Sequence, residues 1–541
     1  MTELEDRGLV GWDRAANRYD LHPIVRGVVW NSLSQERRRE VCETLQAHFQ
    51  PIEVPKYLDV TSLEDLTPAI ELFHALIELD RFDDAFIVLR DRLDRATHFQ
   101  LSASRLRTEL VERLFPGGTK QLPRLSRLSD QGDALNSLAL AYQYSGQPSA
   151  AVPLFGLARD LDQQANDQHK LSIGLGNLSA AERLSGALRA AEVSARTALQ
   201  IAREIGEEFN EAVSLLMLGL ALAVRSSSVA EPGVWYDALT ALEDSQQLFT
   251  QQHNQACIGV VTAYRAVVAL WCDESAAART LADRAWELSA VNKGKADFIR
   301  AARLQGTAAL RRSGGSPESE QAIYEVAHER LHHALARARA CDRVEEELPT
   351  LIALAELHEA LARSPVATLA RAWGKGTHAV ASPTHALASV ATSHDGTLGS
   401  PLGRREPESL TTSLQLTPAE HLDQAERLLD DVWVRAERGP YPLFQADAFN
   451  RLASLERTRA ALLPADSLER IAALDRAGKA ALRAYEKAWL DGPPFAYAYG
   501  LSHAAEHLAE LGITPPDLPP YDESKFPPMP DEPVVRKKSN P

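Results

Sequence analysis

The chain has 541 residues, 45% hydrophobic, 24% charged and only 6% aromatic; with Gly and Pro near average, collagen-like, mucin-like and globally disordered chains are excluded. Fifty-eight basic against 74 acidic residues give a net charge of −16, so no nucleic-acid partner is expected, because phosphate affinity needs concentrated Lys and Arg. Cys42, Cys257, Cys272 and Cys341 form no C-x-x-C pair, no 18-residue apolar run occurs, and the start MTELEDRGLVGWD lacks a signal-peptide layout; a reduced, cytoplasmic, membrane-free location is expected.

Residues 1–50 stand apart. GLVGWDRAANRYDLH (8–22) alternates apolar and polar residues on each side of Ala16-Asn17, a turn-like centre between two short strands. Pro23 suits the first turn of a helix, IVRGVVWNSL, and a second helix begins at about Gln35 and runs until Pro51 and Pro55 break it. A hairpin beside helices matches the C-terminal end of a winged helix. Fifty residues bury too little for an independent core, so this remnant should lean on the helices after it or on a segment before Met1.

From about 63 to 511 the pattern is helical, with Leu and Ala at three- and four-residue spacing. In ALNSLALAYQYSGQPSAAVPLFGLA (134–158), Leu135, Leu138, Ala139 and Tyr142 mark a first helix, Gly146 its end, and Ala151, Phe155 and Ala158 a second. Forty residues on come Leu175, Leu178, Ser179 and Glu182, then Gly186, Ala191, Ala195 and Ala198; a third start falls at Leu215, Leu218, Gly219 and Leu222. Small residues at fixed offsets let paired helices approach closely. The chain here resembles the tetratricopeptide repeat (TPR) family in a 40-residue form, most closely over 130–205. The template is looser in AIELFHALIELDRFDDAFIVLRDRL and in VTAYRAVVALWCDESAAARTLADRA, where Ala278, Ala282 and Ala285 recur.

ELPTLIALAELHEAL (347–361) reads as a first helix whose partner, EHLDQAERLLDDVWVRA, comes after a Ser/Thr/Gly/Pro-rich gap. The expected organisation is a winged-helix remnant at 1–50, repeats at 63–363, a disordered insertion at 364–417, further repeats at 418–511, and an extended Pro-rich tail at 512–541. The fold class expected is all-α: a right-handed TPR-like solenoid with a small winged-helix remnant.

His328-Glu329-Arg330-Leu331-His332 satisfies the H-E-x-x-H pattern of zinc proteases, with Glu356 or His358 as a conceivable third ligand. Against this, AIYEVAHERLHHALARARA fits a second repeat helix with Ala327, Leu331 and Ala334 inward and both histidines on the outer or flanking face. No phosphate-binding loop, G-x-S-x-G or G-x-G-x-x-G occurs, so neither catalysis nor a cofactor is expected. A zinc hydrolase remains the remote alternative.

LEDRGLVGWDRAANRYDLHPIVRGVVW resembles the end of the winged-helix subdomain in STAND-type signalling ATPases, the bacterial relatives of NB-ARC proteins. DGPPFAYAYGL and, downstream of it, LPPYDESKFPPMP are similar to the C-terminal end of such ATPase–repeat proteins. The resemblance implies that His22, in Leu21-His22-Pro23, descends from a nucleotide sensor, with Arg26 beside it. It also implies a nucleotide-binding domain outside this chain, in cis or in trans. The expected role is the non-catalytic sensor half of a signalling or defence ATPase, with a free-standing TPR adaptor as the alternative. A peptide or protein ligand would lie on the concave face formed by the first helices. In the best repeats that face should carry Asn136, Leu140, Gln143 and Tyr144, then Asn177, Ala180 and Arg183.

Overall fold

The computed structural model describes residues 10–13, 18–21, 23–226, 232–292, 295–311, 317–364 and 416–530. The expected insertion (364–417) therefore lies almost wholly outside the described residues, as do His22 and the last eleven residues of the tail. The chain divides into two compact units, 1–138 and 139–541.

In the N-terminal unit, strands β1 (Val10–Asp13) and β2 (Arg18–Leu21) pair antiparallel, with Val10 opposite Leu21 and Asp13 opposite Arg18. Helix α1 (Pro23–Ser32) comes next, opened by its proline, and carries Arg26. Helix α2 (Gln35–Phe49) is capped by Ser34, whose hydroxyl accepts the Arg37 N–H. In α3 (Thr67–Glu78), in α4 (Phe82–Val88) and just past it, Leu72, Leu76, Phe82, Ala85 and Leu89 are buried, as the repeat-like spacing predicts, and Phe73 is buried with them. Two π-helical turns and α5 (Ser104–Glu112) complete this core. Arg107 is buried there with its charge answered by Asp94 at 2.6 Å and by the Ser137 hydroxyl at 2.8 Å.

Helix α6 (Leu128–Tyr144) spans the division between the units. Beyond α7 (Pro148–Gln164), the C-terminal unit is a series of helical hairpins. They are α8 (Gln168–Leu184) with α9 (Leu188–Ile205), α10 (Glu208–Arg225) with α11 (Pro232–Gln251), and α12 (Gln255–Trp271) with α13 (Ser275–Asn292). Next come α14 (Lys295–Leu310) with α15 (Pro317–Ala340), α16 (Val344–Arg363) with α17 (Pro418–Ala436), α18 (Pro442–Ala461) with α19 (Leu468–Trp489), and then α20 (Ala498–Glu510). The α16–α17 pair forms although 54 residues separate the two helices in sequence (Ser364 to Thr417). A capping box at Thr417 and Glu420 marks where the chain re-enters the array.

Small side chains set the spacing within each hairpin. Ser179 donates to the Ala191 carbonyl at 2.7 Å, joining α8 to α9. At the equivalent place Gly219 lies so close to α11 that an added Cβ would stand 2.8 Å from Leu242 and 3.1 Å from the Ala238 carbonyl. Gly306 repeats this against Leu331 and Ala327 two hairpins later, at 2.7 and 3.3 Å. Ala151, Phe155, Ala158, Ala191, Ala195, Ala198, Ala278, Ala282 and Ala285 are all buried. The result is an all-α, TPR-like array of helical hairpins.

First helices touch first helices along the series, α8 to α10, α12 to α14, α14 to α16, α16 to α18 and α18 to α20. Helix α10 also meets α20, so within this unit early and late hairpins come together. The turn at Gly186, with φ +86°, fits against Pro442 and Leu490, where a Cβ would clash at 2.6 and 2.9 Å. The Pro-rich tail has extended backbone around one short 3₁₀ turn, yet it is packed down. Trp489 donates to the Pro519 carbonyl at 2.8 Å, Tyr521 meets Phe495 at 5.0 Å, and the Arg189 guanidinium covers Phe526 at 5.0 Å.

Candidate functional site

The first helices of the C-terminal unit enclose a cavity of about 400 Å³, within the range of small-ligand sites. Every first helix from α8 to α20 contributes to its lining. Part of the lining is apolar and aromatic. Leu220 and Val224 come from α10, Val267, Leu270 and Trp271 from α12, and Trp271 packs against Tyr499 at 5.9 Å.

The rest is charged. Arg300 and Arg303 on α14, and Arg311 just past its end, share one face, and opposite them α16 presents Glu345, Glu346 and Glu356. Arg300 pairs closely with Glu346 and stacks over Tyr264 at 4.4 Å. Arg303 reaches the same carboxylate only at 3.8 Å. Glu356 holds two cations, Arg311 at 3.0 Å and Arg451 of α18 at 2.9 Å, while Glu359 braces Arg451 at 3.0 Å. Such buried pairs offset a large desolvation cost and set the geometry of the walls more than they add stability.

Burial also displaces the acids. Asp447 accepts from the Tyr497 hydroxyl at 3.0 Å, yet burial outweighs that bond and pushes its carboxyl up to about 7. Glu345 is raised by burial and then by its neighbour Glu346. Burial lowers Arg303, with Glu346 opposing and Arg300 adding to the fall. At the far end His507, beside Arg457 at 3.0 Å, is held down to about 4 by burial and by that arginine's charge.

Of the residues expected on the concave face, Arg183 lines this cavity. Asn136 belongs to the N-terminal unit. Gln143 is buried, Tyr144 lies under the Arg343 guanidinium at 4.2 Å, and Asn177 is partly exposed on α8; none of these three lines the cavity. The cavity's charged part is built from later hairpins, where the repeat template is loose. One signal was available: Arg300, Arg303 and Arg311 recur along the inward stripe of a first helix, where a plain repeat would carry apolar residues.

The H-E-x-x-H histidines correct an expectation. Ala327, Leu331 and Ala334 do face inward, but His328 is buried too, stacked 4.2 Å from His332, rather than lying on the outer face. Across from this pair, His358 of α16 and His421 of α17 bring their Nδ1 atoms to 3.0 Å. Burial first, then His421, His332 and His328, push His358 down to about 3, so it is neutral. Glu356, the other conceivable ligand, is committed to Arg311 and Arg451. Among the described residues no group of three or more His, Cys, Asp or Glu is placed to hold a metal ion, and no helix is long and apolar enough to cross a membrane.

No protein-family model and no curated protein matches the sequence. Among solved structures, the chain is similar to a STAND protein with a tetratricopeptide repeat sensor from Pyrococcus horikoshii (14% identity, TM-score 0.39). That match covers 90% of this chain, which spans only 58% of the other protein. It is similar as well to a Rap protein complexed with Competence and Sporulation Factor (11%, TM-score 0.42, covering 79% and 100%), and to a circular tandem repeat protein (12%, TM-score 0.20, covering 88% and 95%). At these identities and scores the likenesses add nothing to the reading of the site, which rests on the chain's own cavity.

Proposed function

We propose that this chain is a non-catalytic ligand-sensing repeat module that receives a peptide or small molecule in the cavity of its C-terminal unit. The observation that carries this reading is that the first helices from α8 to α20 all line one cavity. A ligand there would touch early and late hairpins together and so favour the arrangement in which α10 meets α20. Only a ligand with different affinity for two arrangements shifts their balance. The switch acted upon would be a STAND-type nucleotide-binding module, in cis or in trans, as the resemblance around Leu21-His22-Pro23 suggests.

The first test is a thermal-shift screen of short peptides and metabolites against the wild type and Ala353→Trp, which fills the cavity from α16. Ligands that stabilise the wild type but not the filled variant support the reading; equal stabilisation of both rejects it. The second test adds a cavity ligand to a purified complex with the nucleotide-binding module. Faster nucleotide exchange is the expected result, and an unchanged rate removes the STAND assignment.

A further inference from the structure

The cavity's arginines are unequally paired, and the difference bears on what it binds. Five arginines line it, Arg183, Arg300, Arg303, Arg311 and Arg451, against four carboxyls, Glu345, Glu346, Glu356 and Asp447. Three of the arginines are well answered: Arg300 by Glu346 and Asp297, Arg311 by Glu356 and Asp273, and Arg451 by Glu356 and Glu359.

The other two are not. Arg303 shares Glu346 at 3.8 Å, and its buried Nε has no hydrogen-bond partner. Arg183 makes no hydrogen bond or ion pair among the described residues, and of the carboxyls only Glu345 feels its charge, from a longer range. They belong to one electrostatic cluster, since Tyr264 feels Arg183 and Arg300 together and Arg303 feels Arg300 and Tyr264. A buried guanidinium without a full counter-charge is costly and is relieved by an incoming anion. The same lining offers apolar surface at Val224, Leu270 and Trp271.

The geometry points to an amphipathic anion as the ligand: a carboxylate received by Arg303 and Arg183, joined to an apolar body that lies against Val224, Leu270 and Trp271. The inference rests on the ligand-sensing role proposed for this cavity and narrows it to a chemical class. A guanidinium fork suits a planar carboxylate, and a charge-assisted hydrogen bond is stronger than a neutral one. The acid could be the terminus of a short peptide or a free organic acid; both present the same group.

The test uses two dyes with the same aromatic body, anionic 8-anilinonaphthalene-1-sulfonate and neutral N-phenyl-1-naphthylamine, titrated into the full chain. The anionic dye is expected to bind at least about tenfold more tightly, the effect of one charge-assisted bond. Arg303→Gln should remove that advantage and leave the neutral dye within about twofold. If Arg303→Gln does not fold, Arg183→Gln, at a partly exposed position with no ion pair among the described residues, makes the same test. Displacement of the anionic dye by N-acetyl-Leu-Trp as the free acid, or by decanoate, but not by the peptide amide, supports the proposal, and the stronger competitor identifies the source of the acid. Equal binding of the two dyes, no effect of either arginine variant, or equal displacement by the amide overturns it. Ala353→Trp separates the two levels: if it abolishes both dyes while charge preference is absent, the cavity binds ligands but not anions selectively. If it leaves both dyes bound, the cavity reading itself fails.

Discussion

Gly306 and Gly156 both sit within helices, and their surroundings give them opposite roles. A Cβ on Gly306 would meet Leu331 at 2.7 Å and the Ala327 carbonyl at 3.3 Å, and Leu331 is wholly buried with little room to yield. Overpacking of this kind costs about 1–3 kcal/mol, more than the roughly 1 kcal/mol that alanine recovers in helix propensity. At Gly156 nothing lies within 4 Å of the added carbon, so only the propensity gain remains. Gly306→Ala should therefore lower stability by about 1 kcal/mol and Gly156→Ala raise it by about 0.5–1 kcal/mol. Urea denaturation of the two variants checks both signs, and a stabilised Gly306→Ala would mean that the hairpin contact is looser than its geometry indicates.

At the scale of the element, the hairpins were legible in the sequence because helix pairing is local. Ala191, Ala195 and Ala198 recur at a spacing that only a close helix contact requires, and all three are buried. The cavity was not legible, because Arg183 and His507 line it from hairpins more than 300 residues apart. Their meeting depends on a small rotation per hairpin that no local pattern encodes. His421 escaped for a similar reason: His328, His332 and His358 come together in the H-E-x-x-H reading of the sequence, whereas His421 comes from α17, beyond the long gap in sequence.

The tail shows the converse limit. Its proline content leads one to expect extended backbone but says nothing about docking. Tyr521 stacks on Phe526 at 5.5 Å and meets Phe495 at 5.0 Å, and each aromatic pair contributes about 0.5–1.5 kcal/mol. Tyr521→Ala should lower stability by about 1–2 kcal/mol and open residues 512–530 to limited proteolysis. An unaltered cleavage pattern would show that the tail is held by other contacts.

At the scale of the whole molecule, two sets of buried groups bias stability in opposite directions with pH. His358, held at about 3, and His507, at about 4, stay neutral in the fold, while the unfolded chain protonates them below about 6.5. Below that value the unfolded state binds more protons, so these groups withdraw stability as pH falls. Asp447 and Glu182, each raised to about 7 chiefly by burial, act oppositely. The fold keeps their protons while the unfolded chain releases them near pH 4, so their contribution is present in acid and is lost as pH rises to about 7. Between about pH 4 and 6.5 the two sets compete. Each set has further members, since burial also lowers His74, His332, His333 and His503 and raises Asp297, Glu345, Asp430 and Asp491. With equal numbers the two sets largely offset between about pH 4 and 6.5, so His358 is read from the difference between a variant and the wild type. His358→Gln keeps a hydrogen-bonding side chain beside His421 but binds no proton. Urea midpoints from pH 4.5 to 8 should show the slope of its acid limb lower by about one proton, and a slope equal to the wild type's would mean that His358 is charged within the fold.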